Sequence, residues 1–153
     1  MHFSECRRQW RGVYPVSMSH PISLPDLQTH QDFSDPRHRF GVRGEMAALA
    51  HLVARGWSLE AHRFRFGRHD IDLVVRRGRL VAFVEVKTRS TRTHGSPLEA
   101  LTQHKRQTIA LGAAWWRQRF GREGDQYRFD VVTIEAIGPR VLLRHLPDAW
   151  RVN

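Results

Sequence analysis

The sequence predicts an α/β domain, a mixed central β-sheet flanked by helices. Three observations point there. Segments of helical period and segments of strand pattern follow in the order helix, three strands, helix, two strands. The punctuation between them is turn-like, with Arg77-Gly78 and Gly138-Pro139 each separating two apolar runs. The pattern is confined to residues 40–153, a length that suits one domain with one core.

Residues 1–39 read differently. Pro15, Pro21, Pro25 and Pro36 interrupt a stretch rich in Ser, Gln, His and Asp that shows no sustained period. A flexible N-terminal extension with at most a short ordered piece is expected. An over-long gene start upstream of Met18 would look the same.

From Gly41 each element has its own signal. GVRGEMAALAHLVARG is an amphipathic helix, with Met46, Leu49, Ala50 and Val53 at helical spacing and Gly56 as its stop. WSLEAHRFRF is an edge strand in which Phe64 and Phe66 alternate with arginines. IDLVV and LVAFVEV are two strong strands. Ser96-Pro97-Leu98-Glu99 joins an N-cap serine, a proline at the first helical position and a capping-box glutamate. The helix it opens is expected to run to about Phe120, with Gly121 beyond it. YRFDVVTIE and RVLLRHL close the sheet.

Composition removes several function classes. The longest apolar runs are short and broken by Arg or Glu, so no segment spans a bilayer and no membrane partner is expected. MHFSECRRQWRG lacks the apolar stretch of a secretory signal. Cys6 is the only cysteine, which excludes an intrachain disulfide and zinc held by several thiolates. The ten histidines show no zinc-site spacing. A cytoplasmic address is the simplest expectation.

Charge narrows the field further. The net charge is +10 with histidines neutral, and residues 40–153 hold 20 of the 25 basic residues against 11 of the 15 acids. Such a domain attracts phosphate backbones. Solubility alone, or an anionic membrane surface, are the competing explanations. Of the basic residues only Lys87 and Lys105 are lysine. Codon bias explains an arginine excess. Yet a compact ammonium can shift its pKa or sit beside a metal-bound phosphate, whereas guanidinium is bulkier and stays protonated.

The chemistry falls on the central hairpin. If Arg77-Gly78 are the loop residues, Arg76 faces Arg79, Asp70 faces Glu85, and Asp72 faces Phe83 and is diagonal to Glu85. Asp70, Asp72, Glu85 and Lys87 then share one face, with Ile71, Leu73 and Val75 on the other; a three-residue loop would scatter them. Carboxylates this close repel unless a cation lies between them. Oxygen ligands without thiolate suit magnesium, with manganese as substitute. Held by Asp72 and Glu85, that ion would bind a scissile phosphate oxygen and acidify an attacking water. Lys87 would reach the same phosphate, stabilise developing charge, or orient or deprotonate the water. Taken residue by residue, a surface patch of cross-strand ion pairs explains the same letters. The run FVEVK argues against that, because its charges follow an apolar stretch central to the sheet.

GVRGE at 41–45, DIDLV at 70–74, FVEVKTR at 83–89, HGSPLEAL at 94–101, Lys105 and RFDVV at 128–132 occur in order. Together they resemble the YraN-like family, predicted endonucleases of the restriction-endonuclease-like superfamily, over about residues 40–150. The resemblance implies that superfamily's fold. It implies an endonuclease acting on DNA, possibly branched or damaged. It also maps the PD-(D/E)xK pattern onto Asp72, Glu85 and Lys87. Similarity to archaeal-type Holliday-junction resolvases adds Glu45, as a metal-site or water-positioning acid, and by analogy a homodimer. The chain departs from the pattern in places. Ile71 replaces the motif's proline, Asp70 a longer glutamate, and His69 a glycine that would permit tight backbone approach.

Remaining candidates have two readings each. Lys105 lies on a helical stripe with Leu98, Leu101, Thr108, Gly112 and Trp115, and either contacts substrate phosphate or snorkels over apolar surface. Arg43, Arg89 and Arg92 flank the site and either track a nucleic-acid backbone or stay in solvent. Trp115-Trp116 splits between core and surface, with base stacking the less favoured role. Asp130 is expected in a structural ion pair. A nucleic-acid-binding module of the same fold, with little cleavage of its own, is the alternative function.

Overall fold

The computed structural model describes residues 36–89, 101–137 and 140–152. Its elements are α1 (Pro36–Val53), β1 (Ser58–Phe66), β2 (His69–Arg77), β3 (Leu80–Arg89), α2 (Gln103–Phe120), β4 (Gln126–Ile137) and β5 (Arg140–Trp150). The strands form one sheet in the order β1-β2-β3-β4-β5. Only β3 and β4 pair in parallel, joined through α2, so the sheet is mixed. The expected α/β class and the chain order helix, three strands, helix, two strands hold. Among the described residues no helix is long and apolar enough to cross a membrane.

Two helix boundaries differ from expectation. α1 begins at Pro36, inside the stretch assigned to the extension, because a proline is tolerated in a first helical turn. The rest of that stretch lies outside the described residues. α2 begins at Gln103, where Thr102 accepts the Lys105 N–H through its hydroxyl. The proposed start at Ser96 lies outside the described residues, but Leu101 and Thr102 are not helical, so no continuous helix runs from there.

Each sheet face buries its own layer. On one side α1 sets Ala48, Leu49 and Leu52 against Val75, Val84, Val132 and Ile134. The apolar stripe is rotated from the one expected: Ala50 and Val53 are exposed, and the buried positions are Glu45, Ala48, Leu49 and Leu52. On the other side α2 sets Ile109, Ala113 and Trp116 against Phe64, Phe83 and Val131. Trp116 meets Phe83 edge to face at 5.7 Å while Trp115 points outward, the reverse of the expected stripe.

Glycines let both helices approach the sheet. A Cβ at Gly112 would come within 2.3 Å of Phe66, and one at Gly44 within 2.1 Å of the Thr88 hydroxyl. Gly44→Ala is therefore expected to push α1 off β3 and cost about 2 kcal/mol, read as a lower denaturant midpoint at unchanged m. A wild-type midpoint would show that the helix has room there.

The β2–β3 turn lies one residue later than expected. Arg77 pairs with Leu80, and Gly78-Arg79 make the loop, with Gly78 at φ 60°. Positive φ at that first loop position favours glycine. Moving a two-residue loop by one shifts the register by two, so side-chain parity survives. The next step beyond Leu73↔Val84 sets Asp72 level with Glu85 rather than diagonal to it.

Candidate active site

The site begins where the β2–β3 pairing stops. After Leu73↔Val84 both strands continue unpaired with each other, and Asp72 Oδ2 accepts the Val86 N–H at 2.7 Å. Alternation breaks at the same level. Leu73 and Val75 pack on the α1 side, but Ile71 packs on the α2 side. On β1, Ala61 and Phe64 both pack on the α2 side, which strict alternation forbids. Between them Arg63 adopts φ 50°, a left-handed conformation that costs a non-glycine residue about 1 kcal/mol. The strict alternation behind the expected single face for Asp70, Asp72, Glu85 and Lys87 thus fails at this level. Asp70 pairs with Arg65 on β1, beyond the last β2–β3 pair.

Glu85 is buried on the α2 side, where it follows Val81 and Phe83. Lys87 Nζ donates to its Oε1 at 2.7 Å. Lys105 Nζ, from α2, lies 3.3 Å from Oε2, an ion-pair distance without hydrogen-bond alignment. That oxygen is buried with no hydrogen bond. The two lysines of the chain thus converge on one carboxylate, and Lys105 is turned to the site rather than merely covering apolar surface.

Asp72 makes no ion pair with a described residue, although Lys105 is near enough to oppose part of its shift. Burial, and then the Glu85 carboxylate, push its carboxyl up to about 8. The buried acids Glu45, Asp125 and Asp130, by contrast, have basic partners. Asp130 bonds Arg128 and His145 at 2.9 and 2.8 Å, the structural role expected of it. Asp125 is forked by Arg76.

Glu45 occupies the buried stripe of α1, and its charge reaches Asp72. Its carboxylate is fully engaged. His62 Nε2 lies 2.6 Å from Oε2, and Arg63 forks it through Nε and Nη2 at 2.8 and 2.9 Å. Burial would raise this carboxyl, but His62 and Arg63 together hold it below the ordinary value. Neither partner was foreseen. The spacing Glu45-Ala48-Leu49-Leu52 marks Glu45 as inward-facing, but nothing in an arginine-rich edge strand singles out His62 or Arg63. Arg43 is exposed beside Gly44, and Arg89 is part-buried at the end of β3. Arg92 lies outside the described residues.

The donors fit a hard divalent cation. Asp72 Oδ1 and the buried Glu85 Oε2, which makes no hydrogen bond, are hard oxygen donors, and Asp72, unlike Glu85, has no ion-pair partner among the described residues. Among the described residues no three His, Cys, Asp or Glu side chains gather to hold an ion unaided. Water or substrate oxygens would complete its shell.

Fold and constellation define an α/β protein of restriction-endonuclease-like architecture. The chain belongs to the family described as "Uncharacterised protein family UPF0102", whose model matches residues 44–134, so the YraN-like resemblance holds. Relatives bear the same description. The UPF0102 protein of Erythrobacter litoralis is 38% identical over 113 residues, covering 74% of this chain and 93% of the relative. That of Symbiobacterium thermophilum is 42% identical over 106 residues, covering 69% and 89%. That of Alkalilimnicola ehrlichii is 40% identical over 111 residues, covering 72% and 87%.

Proposed function

We propose that this protein is a magnesium-dependent endonuclease that hydrolyses phosphodiester bonds in DNA, with manganese able to replace magnesium. The observation that carries the reading is Asp72 at the strand fork, a carboxyl beside Glu85 with no ion pair of its own among the described residues. Asp72 beside Glu85 has a carboxyl pushed up to about 8, while Glu45, Asp125 and Asp130 are matched by bases. A divalent ion held by Asp72 and Glu85 supplies Lewis-acid stabilisation of the charge that builds on the phosphate.

The chain's own residues do the rest. Lys87, on Glu85, presents its ammonium to the non-bridging oxygens of the scissile phosphate and stabilises their charge. Lys105 approaches from α2 and clamps the same phosphate from the other side. Glu45, pinned by His62 and Arg63, orients water by its field rather than by ligation. Arg43 and Arg89 follow the backbone on either side, and the net charge of +10 draws the polyanion in.

Full engagement of Glu45 favours one second reading, a nucleic-acid-binding module with little cleavage. The test is incubation with supercoiled, single-stranded and branched DNA in magnesium or manganese, beside Asp72→Ala and Lys87→Ala. Cleavage by the wild type, reduced at least about 100-fold in both variants, is expected. Salt-sensitive binding without cleavage in either metal would leave the module. Neither binding nor cleavage would end both readings.

A further inference from the structure

A second group on the α2 side of the sheet is buried without a partner. Thr133 is 3% exposed, and its hydroxyl makes no hydrogen bond. It follows Val131, which belongs to the α2-side core, whereas Val132 and Ile134 belong to the other layer. Register sets Thr133 between Lys87 on β3 and Arg144 on β5. Lys87, Thr133 and Arg144 therefore form a row across three strands on the face that carries Glu85. Arg144 is exposed and makes no hydrogen bond or ion pair with a described residue.

A buried, unpaired hydroxyl costs stability, and valine would fill the same β-branched volume without it. Packing thus gives no reason for threonine here. A ligand oxygen does. Strands are spaced about 4.8 Å apart, so Lys87 and Arg144 stand roughly 10 Å from one another at the backbone. Their long side chains can reach neighbouring phosphates of one strand, with the hydroxyl between them.

We infer that Thr133 and Arg144 form a subsite for the phosphate adjacent to the scissile one, which leads the bound strand from Lys87 across β4 towards β5. The subsite rests on the proposed nuclease reading for its scissile phosphate. It assigns residues outside the PD-(D/E)xK pattern. It also gives the bound strand a direction, away from the β1 edge.

The test is binding of fluorescein-labelled single-stranded DNA to the full chain in EDTA, followed by anisotropy as salt is raised. Thr133→Val is expected to weaken binding about five-fold while its melting temperature stays level or rises, and Thr133→Ser to bind like wild type. Arg144→Gln is expected to weaken binding about five-fold and to reduce the salt slope by about 1. Wild-type affinity in both Thr133→Val and Arg144→Gln would overturn the subsite and leave the nuclease reading standing. A lower melting temperature in Thr133→Val would overturn the hydroxyl's role. Absence of DNA binding by the wild type would remove the reading on which the subsite depends.

Discussion

Asp72→Asn is expected to melt at a higher temperature than wild type in EDTA while losing cleavage. The stability gain follows from the sign of the Asp72 shift. In the unfolded chain this carboxyl ionises near the ordinary 3.8, but in the fold it is pushed up to about 8 by burial and Glu85. Well below 3.8 it is protonated in both states and contributes nothing. As pH rises towards 8 the unfolded state sheds the proton and the folded state keeps it, so stability falls across that window and levels off above it. Asp72 is only part-buried, and solvent screening reduces the penalty to on the order of 2–3 kcal/mol at pH 8. Asparagine keeps an oxygen for the Val86 N–H and carries no charge. The difference in melting temperature should therefore vanish well below pH 4 and reach its plateau above pH 8. Magnesium or manganese should raise the wild-type midpoint and leave the asparagine variant unmoved. Identical melting curves in EDTA at pH 8 would mean that Asp72 and Glu85 are not in conflict.

That conflict was legible in the sequence only in part, and the reason is local. Alternation and a two-residue loop suffice to bring Asp72 and Glu85 together even though the loop lies one residue later than Arg77-Gly78, because a register shift of two conserves parity. The scarcity of lysine was informative too: Lys87 and Lys105 lie far apart in sequence, yet both reach Glu85. What alternation cannot show is a place where alternation fails. Arg63 at φ 50° and the unpaired Asp72 level interrupt the alternation of both strands, which puts Ile71 on the α2 side. Nor does periodicity choose a face on α1, where apolar residues fall nearly all around the helix. Packing chose it, and with it the burial of Glu45. The ion pairs of Glu45 with His62 and Arg63 depend on that choice, so local sequence carried no trace of them.

Arg76→Met is expected to be among the most destabilising single changes, because it breaks the matched network at the opposite end of β2. The Arg76 side chain is 7% exposed and that of Asp125 is 2% exposed. Arg76 forks Asp125 through Nη1 and Nη2 and donates from Nε to Glu60 on β1 at 2.6 Å. Asp125 also accepts the Arg122 N–H at 2.8 Å, so one guanidinium ties two strands to the turn before β4. Removing it strands a buried carboxylate and is expected to cost about 3 kcal/mol, read as a fall of roughly 10 °C in melting temperature. The pH signature is opposite to that of Asp72. Arg76 holds the Asp125 carboxyl down at about 2, below the ordinary 3.8, so its stabilisation is complete above pH 4 and is lost as pH falls through 2. Wild type and Arg76→Met should therefore converge towards pH 2, where Asp72→Asn and wild type already coincide. The double change Arg76→Met with Asp125→Leu should recover much of the loss, since no unpaired charge is left behind. DNA binding per folded molecule should be unaffected, because Arg76 and Asp125 have their charges satisfied within the fold. A loss below about 1 kcal/mol in Arg76→Met would show that water already screens this network. The contrast on which the nuclease reading depends, between matched buried acids and the unmatched Asp72, would then fail as well.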